Sequence, residues 1–139
     1  MNCWTKTSDL KPHHYRKIGK LVLNWCKSEF GFKKHRGMPK IIFTYKIYAN
    51  DFWGYYDFDE NLIVVFTNTF VNRNRTISSL IRTIIHEYTH YKQDMRGYQK
   101  LLYLHGYKNH PQEIEARNFE NTWSKCYNDV KYCFPKIRK

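Results

Sequence analysis

Between residues 12 and 30 apolar side chains return every third or fourth position, as Tyr15, Ile18, Leu21, Val22 and Trp25, while Arg16, Lys17, Lys20 and Lys27 fall on the other face. That period predicts an amphipathic helix from about Asp9 or Pro12 to Phe30, with Gly31 as its stop. "KKHRGMP" then reads as a basic loop. After it the period changes. "IIFTYKIYA", residues 41 to 49, is β-branched and aromatic with partial alternation, and "GYYDF" and "LIVVF" flank the polar turn Asp59-Glu60-Asn61. Three strands are expected, the last two paired as a hairpin. "TNTFVNRN" is polar and rich in Asn, and reads as a loop.

Helical spacing resumes near Thr76. Ile77, Leu80, Ile81, Ile84, Ile85, Tyr88 and Met95 form one stripe at about 100° per residue, with Gly97 as the expected stop. A last helix is expected from residue 111 to about 130, because Pro111 suits a first helical position and Ala116, Phe119, Trp123, Tyr127 and Val130 form a second stripe. The fold class is therefore α+β: an N-terminal helix, a small sheet of about three strands, a central helix and a C-terminal helix. A chain of 139 residues suffices for one core, so residues 1–139 are read as a single domain with the basic residues 1–46 part of it.

Composition narrows the class. With 42% hydrophobic and 26% charged residues the chain is globular and not disordered. Its start has no apolar signal region, and its longest aliphatic and aromatic run, Leu62 to Phe66, is too short for a bilayer; a cytoplasmic protein with no membrane partner is expected. Cys3, Cys26, Cys126 and Cys133 lie far apart without a C-x-x-C pair, and are read as free thiols.

Charge is uneven. Residues 1–46 hold eleven Lys and Arg against Asp9 and Glu29, whereas the rest hold thirteen against ten. A front-loaded basic segment of this kind suits the phosphate backbone of a nucleic acid, anionic lipid or an acidic protein, and it also keeps a protein soluble.

The candidate chemistry sits on the central helix, in "TIIHEYTHYKQ". His86 and His90 stand four apart, one turn along the same face, so both imidazoles can reach one tetrahedral metal ion. On the helical wheel they lie roughly opposite the apolar stripe. Glu87 points about 100° away from His86, too far to share the metal comfortably, but within reach of a water at an open position, where it can act as general base. A third ligand must come from elsewhere. Glu113 and Glu115 both lie on the first turn of the last helix, and periodicity does not choose between them; Asp94, His105 and His110 are further donors.

"HEYTH" followed by "EIEA" resembles the gluzincin branch of zinc metallopeptidases, in the form of small zincin-like proteins of phages and mobile elements, with ImmA/IrrE-type peptidases as distant relatives. "GYYDFDENLIVVF" resembles the hairpin before the active-site helix in such minimal domains, and the resemblance spans about residues 53 to 123. It implies a Zn2+ ion held by His86, His90 and Glu113, with Ala116 allowing close helix packing, and a peptide or protein as substrate. Many relatives carry Asp or Asn where this chain has Arg117, which is expected either to hold the Glu113 carboxylate or to compete for it. The rival resemblance is to SprT-like proteases, which act on nucleic-acid-bound protein; it implies His105 as the ligand, with His110 also available. The rival of another class is a basic nucleic-acid-binding or regulatory module with a silent zinc site. Tyr103, Tyr107, His105 and His110 are the candidates to stabilise an oxyanion.

Overall fold

The computed structural model describes residues 1–46 and 52–137. Its fold is α+β, as expected. The first helix, α1 (Pro12–Phe30), starts on Pro12 and stops at Gly31, whose φ of 76° is the left-handed conformation that glycine adopts without strain. Ile18, Val22 and Cys26 on its inner face are wholly buried. Arg16, Lys17, Lys20 and Lys27 on its outer face are exposed.

Three strands follow: β1 (Lys40–Thr44), β2 (Gly54–Asp57) and β3 (Leu62–Phe66). The expected hairpin is β2 and β3, antiparallel, with Asn61 in the turn at φ 51° and its side chain held by the Tyr56 hydroxyl. The first strand is shorter than expected, and residues 47–49 of that stretch lie outside the described residues. β1 runs parallel to β3, giving the order β1-β3-β2. The most apolar strand is thus central, and β2 forms an edge.

"TNTFVN" is a helix and not a loop: α2 (Thr67–Asn72). Its polar composition is overridden by two anchors. Phe70 is wholly buried against Trp53, and the Thr67 hydroxyl donates to the Thr44 carbonyl.

The central helix, α3 (Ile77–Lys92), is buried on nearly every side. Its apolar stripe faces α1 and the sheet. Its polar side is covered by the C-terminal helices, so His86 and His90 lie under a second layer and not in open solvent. α3 ends at Lys92, five residues before the expected stop. Gln93 turns extended, and its amide bonds His90, the Gln112 carbonyl and Glu115. Met95 therefore leaves the stripe.

A short helix absent from the sequence reading, α4 (Tyr98–His105), then precedes α5 (Pro111–Phe119) and α6 (Trp123–Val130). The expected helix from 111 to 130 is a continuous helical path tightened to a 3-10 turn at Glu120–Thr122, where the Thr122 hydroxyl donates back to the Phe119 carbonyl. Ala116 is wholly buried, and a larger side chain there would separate α5 from its neighbours.

Candidate metal centre

The i, i+4 spacing on α3 sets His86 and His90 on one face, with their Nε2 atoms 3.2 Å apart. Pro111 and the His110 cap begin α5 so that its first turn carries Glu113 across to both: Glu113 Oε1 lies 2.9 Å from His86 Nε2 and 3.1 Å from His90 Nε2. Donors bound at about 2.0–2.1 Å around a tetrahedral ion stand about 3.3–3.4 Å apart. The three atoms already match that triangle to within a few tenths of an ångström.

The outer nitrogens are fixed as well. His86 Nδ1–H donates to Glu120 Oε2 at 2.8 Å, and His90 Nδ1–H donates to the Gln93 side-chain oxygen at 2.7 Å. In the neutral tautomer both Nε2 lone pairs then face the centre, which is what a metal-ligating histidine needs. Glu120 and Gln93 were not singled out from the sequence. Glu120 lies seven residues after Glu113, two helical turns, so its place on the same face was readable. Gln93 gave no comparable signal.

The other donors are used elsewhere. Glu115 accepts from the Gln93 amide, and Asp94 pairs with Arg96. His110 caps α5, accepting from Gln112 N–H while its Nε2–H donates to the Tyr98 carbonyl. His105 ends α4 on the exposed surface. Arg117 neither holds nor competes for Glu113. Its guanidinium donates to the Lys108 carbonyl and lies over the Tyr107 ring. The phenol of Tyr98 holds the carboxylate instead of Arg117, donating to Glu113 Oε2.

Electrostatics follow from this packing. Burial would lower the His86 pKa, but hydrogen bonds to Glu113 and Glu120 outweigh it and push the imidazole up to about 10. His90 is raised by the same contest, with Glu113 as its main partner. Glu113 moves the other way: burial opposes ionisation, and the two imidazoles and Tyr98 overcome it. Glu87 is raised by burial. Its Oε1 stands 3.9 Å from His86 Nε2, beyond the Glu113 distances, and its buried Oε2 has no hydrogen-bond partner. Glu87, His86 and His90 nonetheless offer donor atoms within 4.8 Å of one another. Glu113 thus lies nearer His86 Nε2 than Glu87 does, and Glu87 is a carboxylate held beside the centre without being absorbed into it.

This centre forms the floor of a cleft of about 900 Å³. One wall is the edge strand β2 with its neighbours Phe52, Trp53 and Phe58, and the other carries Met95, Tyr98, Tyr107 and Arg117. Gly54 permits the first wall to approach, because a Cβ there would meet the Val64 carbonyl at 2.6 Å and Thr83 of α3 at 3.4 Å. Of the four expected oxyanion partners only Tyr107 lines the cleft; Tyr103, His105 and His110 do not. All four cysteines are free thiols. Among the described residues no helix is long and apolar enough to cross a membrane.

The donor set fits zinc by its chemistry: two imidazole nitrogens and one carboxylate, with an unpartnered buried carboxylate oxygen alongside. Set against known proteins, the chain matches no family profile, no curated protein and no solved structure.

Proposed function

We propose that this chain is a zinc-dependent metallopeptidase of the small gluzincin-like kind, with His86, His90 and Glu113 as ligands and Glu87 as general base. The observation that carries the reading is the triangle of Nε2, Nε2 and Oε1 atoms with both Nδ1 atoms already bonded outward. Zinc held there supplies Lewis acidity, polarising a carbonyl and making water a nucleophile near neutral pH. Glu87 takes the proton as the water oxygen bonds to the peptide carbon, and returns it to the nitrogen as the C–N bond breaks. Its raised pKa suits both directions of that transfer. Tyr107, one of four tyrosines lining the cleft, has its pKa pushed up to about 12 by burial and by Glu113, and so stays protonated to donate to the developing oxyanion. The edge of β2 offers backbone groups to an extended substrate, as in β-augmentation. In the test, the parent binds about one zinc per chain and cleaves a protein panel. Glu87→Gln keeps the zinc and loses at least ~10²-fold in rate. A variant as fast as the parent refutes the mechanism.

A second reading is favoured by one observation, the exposed ridge of Arg16, Lys17, Lys20 and Lys27 on α1. The ridge shares no residue with the cleft, so a nucleic-acid contact there is compatible with the peptidase reading, cytoplasmic location included.

A further inference from the structure

Arg117 has the setting of a recognition residue. It lines the cleft one turn after Glu113 and is the one Lys or Arg among the lining residues, which also include the carboxylates of Glu87, Glu113 and Glu120. Its contacts are the Lys108 carbonyl and the face of Tyr107, 5.8 Å from the ring centroid. Among the described residues no carboxylate pairs with it. A guanidinium has five N–H donors in a fork that matches a carboxylate, and a single backbone carbonyl leaves most of them free. A partly buried cation without an anion, lining the same cleft as the centre, is suited to an anion brought by the ligand.

Resting on the peptidase reading, we infer that Arg117 reads a carboxylate of the peptide substrate, on the α5 side of the cleft, while the aromatic wall of β2 takes apolar side chains. The chemistry is a bidentate guanidinium–carboxylate pair. Its source is either an acidic side chain or the free C-terminus. The net charge of +12 acts in the same direction, drawing acidic peptides toward the protein.

The alternative is that Arg117 only braces the loop before α5 through Lys108. The two roles differ in what they do to a ratio. The test uses zinc-loaded Glu87→Gln protein, which cannot turn substrate over, and four octapeptides bearing an uncharged coumarin label. All contain Tyr and Phe; they combine a central Glu or Gln with a C-terminal acid or amide. Binding is followed by fluorescence anisotropy. One carboxylate source should bind roughly tenfold to a hundredfold better than its neutral counterpart, as a charge-assisted pair does. Adding Arg117→Ala should remove that preference, and Arg117→Lys should restore part of it. The Glu arm and the C-terminal arm distinguish the sources.

Three outcomes overturn the inference: equal binding of acidic and neutral peptides, no binding of any, or a carboxylate preference that survives Arg117→Ala. An equal loss for all four peptides, with a lowered Tm, would likewise assign Arg117 to the loop. The peptidase reading fails separately, when the parent binds the acidic peptide through Arg117 but does not cleave it.

Discussion

Zinc binding to the metal-free chain should expel protons, and their number follows from the site. Ligating imidazoles must be neutral at Nε2, yet in the absence of metal the Glu113 carboxylate favours a proton on each. His86, raised to about 10, is fully protonated at pH 7, and His90 is raised as well. Binding at pH 7 should therefore release between one and two protons. Two ordinary histidines with pKa near 6.5 would together release only about half a proton. Calorimetry in buffers of different ionisation enthalpy reads the count as a slope, and apparent zinc affinity should tighten as pH rises toward 10. The stability of the metal-free chain should run oppositely. Raised imidazoles stabilise fully below their unfolded value of 6.5; the contribution of His86 is lost as pH rises through about 10, and that of His90 is lost on the same side. The lowered Glu113 stabilises above 4.5, and its contribution is lost as pH falls. Glu113→Gln should weaken zinc binding and reduce the proton count together. A release of half a proton or less by the parent would show the imidazoles neutral without metal and would refute this reasoning.

Glu120→Gln removes the charge behind His86 and should weaken zinc binding by about 10- to 100-fold while the fold survives, read by competition with a chromophoric chelator. Ala116→Leu forces bulk into a fully closed contact and should cost about 1–3 kcal/mol in denaturant unfolding, with a loss of zinc affinity because Glu113 moves with α5. Nucleic-acid binding through α1 should weaken steeply with salt, and reversing Lys17 and Lys20 should reduce the slope of log K against log salt by about 2; no binding at low salt leaves the ridge a solvated surface.

Features set by neighbours in sequence were legible. The periods of α1 and α3, the stop at Gly31, the β2–β3 hairpin and the facing of His86 with His90 depend on residues a few positions apart. Features set by distant partners were not. α2 exists because Phe70 finds Trp53, and α3 ends early because Gln93 meets His90 and Gln112. Spacing left Glu113 and Glu115 equal; only the packing of α5 against α3 turns one to the imidazoles and the other to Gln93. Arg117 shows the same limit. Its i+4 relation to Glu113 suggested a pair, whereas the loop before α5 offers a carbonyl that takes the guanidinium away.

This division also says how metal and fold are coupled. Ile18, Val22, Ile63, Val65, Ile81 and Ile84 are wholly buried and tie α1, the sheet and α3 together without any help from the centre. α5, by contrast, buries only Glu113 and Ala116, and its polar ties to α3 and the residue after it are those of the site and of Gln93. Metal binding therefore acts on the attachment of α5 more than on the core. Because Glu120 and Gln93 already fix the orientation of both rings through Nδ1, little side-chain entropy remains to be lost when the ion arrives. Removing one of those outer partners should accordingly weaken zinc without touching a ligand, whereas removing Glu113 should lose the ion and loosen the first turn of α5.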